Sequence, residues 1–314
     1  MARAFWQVPL REGDGPKTAF ATERGLFEWT RMPFGLCNAT STFQRLMNSV
    51  LGGIETKPGC VILVYVDDVL IATQNVDDHI SLLGEVFKCL IKAGLKCKAQ
   101  KCSLFQKEVK FLRRTLDADG MRIDELNANT IKNWATPQTK KHIQSFLGLA
   151  NYFREFINGF ASIAAPMNDL IKKDVQWNWS QECQNAFDTL KMKLTSAPVL
   201  KLPNAEGRYF LDTDASDVAI GAVLMQEQLC ENGLTKKVVV QYGSKALGKS
   251  QRNYSVPKKE MYAVITFCEK FRSFLEPREF TLRVDNAALS WLKSYSLQKC
   301  PRAATWALAL TKTI

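Results

Sequence analysis

The chain has 314 residues, 46% of them hydrophobic and 23% charged, enough to bury substantial cores and to divide into more than one domain. A net charge of +11 and a pI near 9.2 suit a polyanionic partner such as nucleic acid. No apolar run is long enough to cross a bilayer and Met1 to Leu10 lacks a signal-peptide core, so an intracellular protein without a membrane partner is expected.

Nine cysteines lie scattered without a Cys-x-x-Cys pair, which argues against a disulfide framework and a zinc ribbon. With only His79 and His142 present, chemistry must rest mainly on carboxylates.

From Phe5 to about Leu116 short β-rich runs alternate with helices, an α+β pattern. The apolar segments Val61 to Val64 and Val69 to Ala72 flank Tyr65-Val66-Asp67-Asp68, which predicts two strands meeting in a hairpin at paired aspartates. Two adjacent carboxylates are costly to desolvate unless cations neutralise them, and divalent metal is the natural remedy. Two such ions about 4 Å apart would activate an attacking hydroxyl and stabilise the leaving pyrophosphate of an in-line phosphoryl transfer. Paired aspartates also serve as turn residues, and the tetrapeptide alone leaves both readings open.

Next, His79 to Ala93 reads as a helix with Ile80, Leu83, Phe87, Leu90 and Ile91 on its apolar face, stopped by Gly94. Lys88, Lys92, Lys96, Lys98, Lys101, Lys107, Lys110, Arg113 and Arg114 face the single acid Glu108, a stretch able to track a duplex backbone without sequence preference. For any one of these lysines a merely solvated face is an equal reading. From about Asp124 to Lys173 the pattern is helical, with Phe146, Leu149, Tyr152, Phe153 and Phe156 on one stripe and Pro137 and Pro166 as breaks.

From about Gln176 the expected order is a helix, two strands within Tyr209 to Gln226, a helix from about Pro257 to Leu275 and a strand at Phe280 to Val284, a mixed α/β class. Asp212, Asp214 and Asp217 fall near or beyond the end of the first strand. Glu260 sits at the rim of the stripe made by Met261, Val264, Ile265, Cys268 and Phe271, and Asp285 ends the last strand. Isolated surface acids usually do nothing. If the strands of Asp214 and Asp285 are neighbours under that helix, however, Asp214, Glu260 and Asp285 converge on a site for paired magnesium ions.

Four ordered blocks, Phe5-Trp6-Gln7-Val8-Pro9-Leu10, Lys17-Thr18-Ala19-Phe20, Arg31 to Ala39 and Tyr65 to Asp68, resemble the palm of gypsy-type LTR retrotransposon reverse transcriptases. Ser145 to Arg154 with Phe156-Ile157 resembles their thumb; Asp214 to Asp217, Tyr254-Ser255 with Lys259-Glu260, and Arg283-Val284-Asp285 resemble their ribonuclease H domain. The resemblance implies an α+β and α/β multidomain chain: a partial reverse transcriptase palm over residues 1–116, a helical thumb over 117–175 and a ribonuclease H-like domain over 176–314.

It further implies RNA-directed DNA polymerase and ribonuclease H activities, with Mg2+ or Mn2+ held by Asp67 and Asp68 and by Asp214, Glu260 and Asp285. The implied partners are RNA template, DNA primer, RNA–DNA hybrid and dNTPs, in the cytoplasm, including virus-like particles, with access to the nucleus. Phe5 corresponds to the aromatic beneath the incoming sugar, although a single aromatic usually packs in a core. Pro33, Phe34 and Gly35 correspond to the nucleotide and template pocket, and Tyr65 joins the substrate-binding set.

Two departures are local: Arg113 and Arg114 stand where the family has Gly-His after Phe111-Leu112, and Asn286 stands where relatives often have His. The family's third palm aspartate falls just before Met1 and its last ribonuclease H ligand beyond Ile314. Polymerisation and cleavage by this chain are therefore expected to be weak, and an inactive nucleic-acid-binding remnant is the alternative reading.

Overall fold

Amphipathic spacing and helix caps organise the amino-terminal part of the chain. In the computed structural model the chain falls into two compact units, Met1–Phe111 and Leu112–Ile314, and the structure describes residues 3–229 and 233–284. In the first unit, strands β1 (Phe20–Thr22) and β2 (Gly25–Phe27) form a short antiparallel ribbon. Helix α1 (Ala39–Leu51) buries Ala39, Phe43, Met47 and Leu51, a four-residue spacing that makes one stripe. Strands β3 (Val61–Tyr65) and β4 (Asp68–Ala72) pair antiparallel, as the hairpin reading expects.

Helix α2 (Val76–Lys92) begins three residues before the expected start, because the Asn75 side chain accepts the Asp78 backbone N–H at 2.8 Å and caps it there. Its buried residues are Leu82, Val86 and Leu90. Ile80 and Ile91, expected on the apolar face, are exposed, since the apolar arc of the helix is wider than the surface it covers. Gly94, at φ +69°, turns the chain away as expected. A short strand, β5 (Val109–Phe111), ends the unit.

The second unit opens with the hairpin β6 (Arg114–Asp117) and β7 (Gly120–Ile123). Gly120 lies at φ +136°, and a Cβ there would stand 2.2 Å from the Leu200 carbonyl oxygen, so only glycine lets β7 bridge to Leu200. Helices α3 (Glu125–Lys132), α4 (Lys140–Tyr152), α5 (Phe160–Ile163) and α6 (Ala165–Leu170) follow. Pro166, expected as a break, sits in the first turn of α6, where its missing N–H leaves no hydrogen bond unmade.

Helix α7 (Gln181–Thr195) is capped by Ser180. Its Phe187 and Leu190 pack in one core with Ile131, Ile143, Phe146, Phe153, Phe156 and Met167. That core therefore crosses position 175, where the sequence reading divides the helical segment from the next domain.

Strands β8 (Tyr209–Ala215), β9 (Ala219–Leu229) and β10 (Thr235–Ala246) are antiparallel neighbours. After helices α8 (Lys249–Arg252), α9 (Val256–Lys270) and α10 (Arg272–Leu275), strand β11 (Phe280–Val284) adds parallel to β8, giving the order β10-β9-β8-β11. The helix expected over Pro257 to Leu275 thus breaks at Phe271 into α9 and α10.

Strand β10 is absent from the sequence reading. Its pairing register slips between Val239 and Gln241; Val240 joins the core against α9, while Val239 and Tyr242 pack against the core of the preceding helices. The mixed α+β and α/β class is as expected.

Phe187 of α7 is fully buried in the core it shares with Phe146 and Met167. Phe187→Ala is expected to lower unfolding free energy by about 3–5 kcal/mol in urea titrations.

Candidate active sites

Alternation along β3 and β4 sets the first site. Val64 and Val66 pack toward the core, whereas Tyr65, Asp67 and Asp68 are exposed at the tip. Tyr65 pairs across the hairpin with Asp68, so the two carboxylates stand on adjacent residues of the turn.

Val66 occupies the left-handed region at φ +53°, an unfavourable place for a β-branched residue. Gln44 of α1 holds it: the Val66 N–H donates to Gln44 Oε1 at 2.6 Å, and Gln44 Nε2 donates to the Val64 carbonyl at 3.1 Å and to Asn48 Oδ1 at 2.8 Å. Nothing in the sequence around Gln44 signals this role. Asp67 and Asp68 line a cavity of about 280 Å³ with His79, Phe87 and Phe105.

Phe5 lies edge-on to Phe34, with ring centroids 5.5 Å apart, and to buried Phe43 at 5.8 Å. It therefore packs on the core as well as meeting Phe34, and both readings of this aromatic hold together. Pro33 is buried, Phe34 is exposed, and Gly35 takes φ +92°, which turns the chain sharply at that point.

Of the expected phosphate-tracking residues, the seven lysines and Arg113 are exposed. Arg114 is not available in the same way, because its guanidinium is ion-paired with Glu155 and lies 5.2 Å from the Tyr152 ring centre. Arg113 also lies over that ring, at φ +60°, a conformation that the family's glycine would adopt without strain. Phe146, Phe153 and Phe156 are core residues, as the thumb stripe suggests, while Tyr152 is exposed and donates its hydroxyl to the Leu112 carbonyl at 2.8 Å.

The second site is built on β8. Tyr209 and Leu211 point into the core beneath α9, and Asp212 and Asp214 fall on the alternate positions. Asp214 is exposed, opposite Gly221 of β9, and lines an open cavity of about 490 Å³ with Asn158, Gly159, Ser162 and Asp212.

The neighbouring acids are already engaged. Asp212 receives a two-point contact from Arg283 of β11, Nε to Oδ1 and Nη2 to Oδ2 both at 2.6 Å. Asp217 receives the Lys259 ammonium at 2.6 Å; the lysine is buried and the aspartate exposed, and this hydrogen bond and the lysine's charge hold the Asp217 carboxyl below its ordinary range. Glu260, the next residue, is 5% exposed on α9, which packs on β8.

Asp285 follows Val284 in sequence and lies outside the described residues. Among the described residues no group of three or more His, Cys, Asp or Glu side chains is placed to hold a metal ion. Sequence reasoning missed Lys259 and Arg283 as partners, although strand parity places Arg283 opposite Asp212 once β8 and β11 are neighbours.

One unit thus presents a carboxylate-tipped hairpin and the other a helix-covered mixed sheet. Residues 1–116 match the family of reverse transcriptases (RNA-dependent DNA polymerases), and residues 179–282 match the RNase H-like domain found in reverse transcriptase.

The retrovirus-related Pol polyprotein from transposon 297 of Drosophila melanogaster is 37% identical over 293 residues, 93% of this chain and 26% of that protein. The transposon Tf2-3 polyprotein of Schizosaccharomyces pombe is 35% identical over 310 residues, 98% of this chain and 23% of that protein. The chain is similar to these transposon polyproteins and spans about a quarter of the length of these curated relatives.

In fold, it is similar to the foamy viral protease-reverse transcriptase solved with RNA/DNA hybrid, with a TM-score of 0.81 and 24% identity over 99% of this chain and 42% of that one. A second structure of that viral protein, with double-stranded DNA, gives 0.80 at 24% identity over 99% of this chain and 64% of that one.

Two outcomes test this geometry. Gln44→Ala removes the partner of a strained N–H, and is expected to cost about 1–3 kcal/mol in denaturant unfolding. For Asp217 the folded carboxyl is the stronger acid, so its contribution is present above the ordinary value of 3.8 and disappears as pH falls through the lower folded value. The melting temperature of the unsubstituted protein should exceed that of Asp217→Asn at pH 6, and the gap should close in acid below pH 3.8.

Proposed function

We propose that this chain carries out RNA-directed DNA synthesis at Asp67 and Asp68 and cleaves RNA within RNA–DNA hybrids at Asp214, Glu260 and Asp285. The observation that carries the reading is the pair of adjacent aspartates presented at an exposed hairpin tip, inside the span that matches reverse transcriptases.

The donor set fits a hard divalent cation, since every residue proposed to hold it is an oxygen-donating carboxylate. Mg2+ or Mn2+, when bound by these side chains, supplies Lewis-acid stabilisation of the phosphoryl oxygens and lowers the pKa of the attacking hydroxyl or water.

The chain's own residues do the rest. Gln44 fixes the backbone of the hairpin turn, so the two carboxylates are pre-positioned instead of being ordered at the moment of reaction. Phe5, held against Phe34 and Phe43, offers an aromatic surface beneath the sugar of an incoming dNTP, with Pro33, Phe34, Gly35 and Tyr65 completing the nucleotide and template pocket.

In the second reaction Glu260 contributes a buried carboxylate and Asp214 an exposed one, while the Lys259–Asp217 and Arg283–Asp212 pairs keep two neighbouring acids out of the donor set. Exposed lysines from Lys88 to Lys110 support binding of template, primer and hybrid through their phosphates. The foamy viral neighbours, bound to double-stranded DNA and RNA/DNA hybrid, support the same partner class.

Primer extension on RNA and cleavage of a labelled hybrid, both with magnesium, test the proposal. Asp68→Asn is expected to lower extension roughly a hundredfold or more while leaving cleavage intact, and Glu260→Gln should do the reverse. Equal activity of chain and variants in both assays would overturn the assignment.

A further inference from the structure

A second cavity in the carboxy-terminal unit, about 390 Å³, opens between the helical segment and the β10–α9 side of the sheet. Three cationic side chains line it, Arg154, Lys245 and Lys270, and none of its lining residues is acidic. Asn151, Asn168, Ser244 and Thr266 add amide and hydroxyl groups, so charged and neutral donors surround one small space. None of these residues belongs to the two carboxylate sites.

The cations are held in place yet incompletely neutralised. Lys245 donates to the Tyr262 hydroxyl at 2.8 Å and lies over that ring. Lys270 reaches the Tyr242 carbonyl only at 3.5 Å and lies over Phe271 at 5.1 Å. Arg154 reaches Asn151 Oδ1 at 3.5 Å.

The nearby acid, Glu155, is already committed to Arg114 and to Gln241 Nε2 at 3.2 Å. Burial first, and the Arg154 charge second, push the Lys270 ammonium down to about 8, with Glu155 acting weakly the other way. Crowding of positive charge in a partly dry cleft is relieved most directly by an oxyanion with several acceptor oxygens.

We infer that the cavity between Arg154, Lys245 and Lys270 binds a phosphate group. The tetrahedral oxygens would take the Arg154 fork and the two ammonium groups, with the amides and hydroxyls on the remaining acceptors. Two sources share this chemistry: free inorganic phosphate and a phosphodiester in the backbone of a bound hybrid.

Isothermal titration of the full chain with inorganic phosphate, and separately with a short RNA–DNA hybrid at fixed ionic strength, distinguishes them. Lys270→Met keeps the apolar stem, and Arg154→Gln alters an exposed end should the first variant fold poorly. Lys172→Met, on an exposed lysine elsewhere, controls for loss of net charge.

Each cavity variant is expected to weaken phosphate binding about tenfold, a loss that Lys172→Met does not reproduce. Failure to bind free phosphate, together with a selective loss of hybrid affinity in the cavity variants, assigns the site to backbone phosphate. Variants that bind both ligands as the control does, or a protein whose phosphate and hybrid binding are insensitive to all three changes, overturn the inference. A carboxylate-site failure in the activity assays leaves this result unaffected.

Discussion

The four-stranded sheet of the second unit carries apolar side chains on both faces, so it can stand in water only if both are covered. Helix α9 and the residue that caps it cover one face through Met261, Val264, Phe267 and Phe271, which share a core with Leu211 and Leu224. The preceding helices cover part of the other, against Val239 and Tyr242 of β10. Strand alternation sends Val239 and Val240 to opposite layers, and the register slip between Val239 and Gln241 brings Tyr242 back to the side of Val239. Everything proposed for Asp214 depends on this double covering, because β8 is held by backbone pairing on both edges and Asp214 inherits its rigidity.

The first carboxylate site rests on a slighter scaffold. A two-stranded hairpin is marginal by itself in water, and this one places a β-branched residue in the left-handed region immediately before its aspartates. It is the neighbouring helix that makes the geometry tenable: one glutamine on α1 satisfies both a donor and an acceptor of the hairpin backbone. The two sites therefore reach the same chemical end, carboxylates on stiff backbone, by different routes.

Much of this was legible in the residues themselves. Paired aspartates between two apolar runs announced the hairpin, and the stripe ending at Phe271 announced α9 and the placement of Glu260 on it. Local pattern says less where tertiary context decides. Strand β10 escaped because lysines, glycine and serine dilute its valines, and its burial comes from two distant cores. Gln44, Lys259 and Arg283 escaped because each acts through contacts to residues distant in sequence that no periodicity encodes. Asp285, the third proposed carboxylate of the second site, lies outside the described residues.

One core runs from α3 through α7 and on to β10, and this has a bearing on how the polypeptide tolerates nicking. A break in the peptide backbone near Asp174 would not liberate two self-sufficient bodies. The upstream piece would leave with Phe146 and Met167 stripped of Phe187, and the downstream piece would keep Val239 and Tyr242 facing solvent. The helical segment and the sheet thus share one apolar core, which a cut at that seam would divide.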